Sequence, residues 1–421
     1  MSGDRQVVIT GVGVVSPIGV GYDAYRASLE QGQSGIAPYE QFDGSHMPVT
    51  FGGEVNDYEA KQFVKPRKSL KVMCKEVRMG VGSASMAVAQ AGLEKGAGNR
   101  DRFGVVFGSE MHYGDTEDTI DVCSECNDNG KFVMERWGHS AMNKIFPLWM
   151  LEYLPNMSAC HMAIAHEAYG PNNSIGSGDA SGLIALAEAA NTITRGHTDV
   201  MLAGGTGSRT NMTTLLFRGF SNLSHRNAEP AAACRPFELH RDGMVNGEGA
   251  ATVIMESSEH ASERGARVLA EVAGYGEAFA PGFPEGMDFT TAIKSSMEQA
   301  LSKANLSAED VGHVNAHGIS LVDHDQQEAA AIAAILGDVP VTAPKSYFGN
   351  LGAGSGAVEL LTSLVAMETG MIPATLNYQQ PDPECPVNVV ATPTPSDKPA
   401  ALLLNQSATG QVAALALRRP A

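Results

Sequence analysis

Basic charge is scarce in this chain: 29 Lys and Arg stand against 47 Asp and Glu over 421 residues, a formal net charge of −18 at pH 7. Phosphate backbones are gripped through a basic footprint, so a nucleic-acid coat is excluded as a general role. Cysteine is scarce too. The six present, at 74, 123, 126, 160, 234 and 385, are too few for a disulfide scaffold and suit a reducing compartment, so a cytoplasmic location is expected. No apolar run approaches the ~18 residues of a membrane span, and no membrane insertion is expected. The apolar stretch 7–15 is short, broken by glycine and preceded by Arg5, which suits a first buried strand and not a signal peptide. Aromatic residues make up only 6%, whereas glycine reaches 46 residues. Those glycines sit beside small residues at strand ends, as tight turns in a closely packed core require.

What is there alternates. Continuous β-branched or aliphatic runs at 7–17, 103–109, 199–205 and 249–257 read as buried strands, with a short strand at 174–179. Helical patterns occupy 22–32, 64–95 and 180–196, the last stopped by Gly196. The second half repeats the rhythm. Strands are expected at 266–276, 313–318, 339–344, 401–407 and 411–419, and helices at 288–304, 323–336 and 352–369. The class is therefore α/β, with helices on both faces of the sheets. The halves read as one fold used twice, without detectable sequence repetition. Segment 381–399 reads as a surface loop.

Five segments are more specific. VVITGVGVVSPIG at 7–19, GPNNSIGSGDASG at 170–182, CRPFELHRDGMVNGEGA at 234–250, NAHG at 315–318 and PKSYFGNLGAGSGAVE at 344–359 occur in one order and spacing. Together they resemble the elongating beta-ketoacyl-acyl carrier protein synthases of fatty acid and polyketide synthesis. The resemblance spans the chain outside roughly 110–150. It implies the thiolase-like fold, five layers α-β-α-β-α built from two similar halves, and a dimer. Residues 1–257 would form the first half, with a cap inserted at about 110–155, and 258–421 the second. The family's chemistry implies a cysteine on a strand-to-helix elbow, its thiol activated by the helix N-terminus, which takes an acyl chain from a carrier protein. Two histidines then hold the malonyl thioester oxygen while carbon dioxide leaves. No cofactor is implied.

The sequence departs from that pattern at several places. Asp179 stands where the resemblance puts the nucleophile, and no cysteine lies in 170–182. His317 matches the first histidine, but Asn350 stands for the second. Ile319 and Leu321 replace the two threonines that hold the pantetheine arm. The gate segment 405–411, which includes Thr409 and Gly410, has lost its phenylalanines. His317, Asp325, Glu328, Lys345 and Glu359 are retained, the last two as an expected buried pair.

Each candidate has a plainer reading. Asp179 is a favoured helix N-cap as well as a candidate catalytic carboxylate, and a carboxylate is a far poorer acyl acceptor than a thiolate. His317 and Asn350 read either as hydrogen-bond donors to a thioester oxygen or as structural remnants. Cys123 and Cys126, with His139 beyond, begin like a zinc spacing, but no second histidine follows at 143–145, so no metal site is expected. Lys65, Arg67, Lys68, Lys71, Lys75 and Arg78 form a local basic cluster, several on one helical face. It reads as a solvated face or as a docking site for an acidic carrier protein. Trp137, Trp149, Phe132, Phe146 and Tyr153 suggest a cap that reshapes the pocket, or ordinary packing. The expected function is a non-condensing, chain-length-factor-like subunit paired with an active ketosynthase. The alternatives are a malonyl-carrier decarboxylase, acyltransferase or thioester hydrolase using His317 and Asn350, and a homodimeric scaffold of lipid assembly.

Overall fold

The computed structural model describes residues 5–93, 98–283 and 286–420. Ten main strands order the molecule: β1 (Val7–Ser16), β2 (Phe103–Gly108), β3 (Asn172–Ile175), β4 (Val200–Ser208) and β5 (Glu248–Ser257) in the first half, then β6 (Ala270–Phe279), β7 (Val311–Asn315), β8 (Pro340–Thr342), β9 (Ala400–Gln406) and β10 (Gln411–Arg418) in the second. The first half runs β3-β2-β4-β5-β1 and the second β8-β7-β9-β10-β6. Both therefore read third, second, fourth, fifth, first. The pairing senses match as well, with β2 parallel to both its neighbours and β5 antiparallel to both, as β7 and β10 are in their half. The halves join edge to edge where Val8 and Ile9 of β1 pair with Glu271 and Ala270 of β6.

Helices fill the equivalent crossovers: α1 (Lys75–Gln90), α2 (Met157–His166) and α3 (Ser181–Thr194) in the first half, α4 (Phe289–Ala304), α5 (Val322–Leu336) and α6 (Ser355–Thr369) in the second. α1 and α2 cover one outer face, α4 and α5 the other. α3 and α6 pack against each other and against strands of both halves, so they form the middle of five layers. Their sequences require that position. Every residue from 355 to 366 is buried, and a helix with small or apolar residues on every side and only Glu359 charged in that run is stable only inside a core. β1 is likewise buried at all ten positions, because it has a helix layer on each face.

The two halves do share a sequence signal that the reading above passed over. Gly11 and Gly13 in β1 correspond to Gly274 and Gly276 in β6, and each strand carries a register shift just before its pair. A Cβ on Gly13 would lie 2.1 Å from the Ser83 carbonyl of α1, and one on Gly276 2.1 Å from the Ser296 carbonyl of α4. The G-x-G lets an outer helix lie directly on its sheet in both halves.

Two local expectations are corrected. The long helical pattern at 64–95 is divided: a 3₁₀ helix spans Arg67–Val72, Met73 and Cys74 are extended, and α1 begins at Lys75. Residues 94–95 lie outside the described residues. The strand expected at 174–179 ends at Ile175, because Gly178 adopts φ 57° and starts a 3₁₀ turn. Among the described residues no helix is long and apolar enough to cross a membrane.

Candidate functional site

The turn Gly178–Ala180 delivers Asp179 to the N-terminal end of the central helix α3. Ser181 stitches the turn, accepting from the Ser177 amide at 2.8 Å and donating to the Gly178 carbonyl at 2.5 Å. Asp179 is buried, yet its side chain caps nothing. The N-cap reading is thus corrected: the carboxylate turns sideways into an ion pair with the Arg209 guanidinium and accepts from Asn350 Nδ2 at 2.8 Å. Arg209 follows the last residue of β4 and is itself 5% exposed. It also reaches Glu110 Oε1 at 3.2 Å, and Glu110 pairs in turn with Arg218. Four charges therefore alternate in sign across the site.

The electrostatics follow from that alternation. Burial alone pushes the Asp179 carboxyl up, but the Arg209 charge, the Asn350 hydrogen bond and the Lys345 charge together bring it below its ordinary value. Asp179 is a carboxylate, and its charge is matched within the site.

Asn350 is held on both sides. Its amide donates to Asp179, while its carbonyl accepts from the Gly352 amide at 3.0 Å and from Ser355 Oγ at 3.2 Å. His317 lies two residues past the end of β7, and the retained Lys345 organises it. The ammonium donates to the His317 carbonyl at 2.8 Å and to Glu359 Oε1 at 2.5 Å, and it lies 3.1 Å from His317 Nδ1. Nδ1 therefore accepts, and the imidazole proton resides on Nε2. Burial, reinforced by the Lys345 charge, holds His317 well below the usual histidine range, so the ring is neutral. Glu328 receives the amides of His317 and Gly318, and Asp325 those of Ile319 and Phe237. Asn405 completes the group by donating to Glu359 Oε2 at 2.7 Å.

A cavity of about 470 Å³ opens onto this cluster. Its wall includes Asp179, Arg209 and Arg218, the cap residues Met111, Tyr113 and Pro155, and Ser407, Ala408 and Thr409 of the gate segment. Gly410, at φ 102°, closes the tight turn between β9 and β10. His317, Asn350, Lys345 and Glu359 are each about 1% exposed and are not among the lining residues. The structure thus gathers the sequence-derived candidates into one cluster, then places the Asp179–Arg209 pair between that cluster and the open cavity.

Glu110, Arg209 and Arg218 were missed in the sequence. The signal was present: between Asp199 and Arg218, Arg209 is the sole charged residue. The other candidates are dispersed. Lys65, Arg67, Lys68 and Lys71 are exposed on and beside the 3₁₀ segment. Lys75 instead pairs with the buried Glu248, and Arg78 donates to the Leu70 carbonyl, so the single helical face expected for the basic cluster does not form. Cys123 and His139 are exposed and Cys126 is buried, and the three do not converge.

Family models settle the lineage. The beta-ketoacyl synthase N-terminal domain matches residues 4–261, and the beta-ketoacyl synthase C-terminal domain matches 269–379. The chain belongs to the beta-ketoacyl synthase family. A 3-oxoacyl-[acyl-carrier-protein] synthase 2 of Synechocystis sp. is 34% identical over 399 residues, 92% of this ketosynthase-family chain and 91% of that protein. Among solved structures, the ishigamide ketosynthase/chain length factor covers all of both chains at 27% identity with a TM-score of 0.85. A type II polyketide acyl-carrier protein in complex with its ketosynthase gives the same identity and TM-score over 99% of this chain and 100% of that one.

Proposed function

We propose that this ketosynthase-family chain is a non-condensing subunit, like a chain-length factor, that pairs with an active ketosynthase in fatty acid or polyketide assembly. The Asp179–Arg209 ion pair carries the reading. Condensation needs a nucleophile that can store an acyl group and a pair of donors open to a thioester oxygen. Here the carboxylate at the elbow is engaged by a guanidinium and an amide, and His317 and Asn350 lie behind it. The decarboxylase alternative is weakened by the same contacts, because Asn350 already spends an N–H on Asp179.

Two further features support a paired subunit. The 110–155 segment exposes Phe132, Met134, Met142, Phe146, Leu148 and Met150, a concentration of large apolar side chains that suits a covered face. The neighbour titled ketosynthase/chain length factor has the same fold over its whole length. Lys65, Arg67, Lys68 and Lys71 then form a docking face for an acidic acyl carrier protein. The test is affinity purification of the tagged chain from its source organism. Recovery of a cysteine-bearing ketosynthase in equal amount supports the reading. A self-associated chain with no synthase, or carbon dioxide release from malonyl-carrier protein that is lost in His317→Ala, overturns it in favour of a scaffold or an enzyme.

A further inference from the structure

Away from the elbow, a second set of buried side chains is unused by any step above. Cys74 precedes α1, Glu76 lies in its first turn, and His112 follows β2. Their donor atoms all lie within 4.8 Å of one another, and among the described residues they form the one group of three metal-capable side chains so gathered. All three are buried.

The histidine is oriented by a neighbour. Ser109 Oγ directs its proton to the Glu110 carbonyl at 3.4 Å and lies 3.2 Å from His112 Nε2. In the tautomer with Nε2–H donating to Ser109, the lone pair of Nδ1 faces Glu76 Oε1 at 3.9 Å. That arrangement sets an imidazole nitrogen and a carboxylate beside the Cys74 thiol, which hydrogen-bonds Glu76. Ligating histidines are held in this way, through the ring nitrogen that does not bind the ion.

We infer that Cys74, Glu76 and His112 form a binding site for a divalent zinc ion. Sulfur, imidazole and carboxylate are the donor set zinc prefers, at about 2.0–2.3 Å, which spaces ligand atoms roughly 3.3–3.8 Å apart. The observed cluster needs only a contraction of about 1 Å to reach that spacing. A cavity of about 740 Å³ is lined by Cys74 and Glu76, though not by His112, so an ion held there would have its open position toward that cavity. On the other side, Glu76 and His112 border a void of about 10 Å³ shared with Glu110 and Arg209, the volume of one water. A bound ion would tie the start of α1 to the 109–112 segment that carries Glu110, and so hold one end of the charge network around Asp179.

The test is titration of the metal-free full chain with zinc sulfate against a chromophoric chelator, repeated with cobalt(II) to read thiolate-to-metal absorption. One equivalent is expected. Cys74→Ser, a near-isosteric change, should weaken binding about 100-fold and abolish the cobalt charge-transfer band. His112→Ala should do the same, Ser109→Ala should weaken binding about 10-fold, and Cys123→Ser should change nothing. Circular dichroism checks that each variant folds. Less than a tenth of an equivalent in the parent chain, or unchanged affinity in Cys74→Ser, overturns the assignment.

Discussion

Replacing Arg209 by Met removes one charge from the buried pair and keeps most of the side-chain volume. Asp179 then retains the Asn350 hydrogen bond and the more distant Lys345 charge, but loses its direct counter-ion. Breaking a buried pair from one side costs about 3–5 kcal/mol. Unfolding entropy of about 2.1 cal/mol/K per residue gives roughly 0.9 kcal/mol per degree for a chain of this length. Scanning calorimetry at pH 7 should therefore show Tm lowered by about 3–6 °C. The sign with pH is equally definite. In the parent chain Asp179 is depressed below its unfolded value, so its contribution is present above the unfolded pKa and is lost as pH falls through the folded one. In Arg209→Met burial has lost its main opponent, and the carboxyl rises. Its penalty then grows as pH climbs from the unfolded value toward the raised one. The deficit of the variant should be largest near pH 7 and shrink toward pH 4. Adding Asp179→Asn removes the stranded charge, so the double variant should recover about half or more of the loss. A Tm for Arg209→Met within 1 °C of the parent, or a double variant no more stable than the single one, would refute the coupling.

Three further outcomes are expected. Asp179→Cys alone should show no elongation of acyl-carrier protein with malonyl-carrier protein, because Arg209, Glu110, Asn350, Ile319 and Leu321 remain; measurable condensation by that variant would contradict the paired-subunit reading. Arg67→Glu with Lys71→Glu should weaken binding of an acidic carrier protein several-fold at low ionic strength, and the difference should fade with added salt; calorimetric titration reads it, and equal affinities at low salt would remove the docking face. Gly178→Ala should cost about 1–2 kcal/mol, since an L-residue resists φ 57° and its Cβ would lie 2.5 Å from Ser407 Oγ; an unchanged urea midpoint would show that the elbow is not constrained as described.

Patterning alone determined the class and the order of most elements, but not α2 or the break before α1. Runs such as 7–16 and 355–366 are dominated by apolar and small residues on every side, which suits a layer covered on both faces, and that property belongs to the residues themselves. The missing thiol at the elbow and the retained Lys345 and Glu359 were equally legible. What stayed hidden is whatever depends on pairing across long separations. Arg209 lies 30 positions from Asp179 and 99 from Glu110; its isolation among uncharged neighbours marks it locally, but nothing local names its partners. The expected N-cap failed for the same reason: helix-end preference is a short-range tendency of tenths of a kcal/mol to about 2 kcal/mol, and a buried counter-ion outweighs it. The basic cluster lost its single face because the chain breaks at Met73 and Cys74, and because Glu248, 173 residues away, pairs with Lys75. Local chemistry chose the elements, and the fold decided which charges meet, since only burial makes such meetings expensive to avoid.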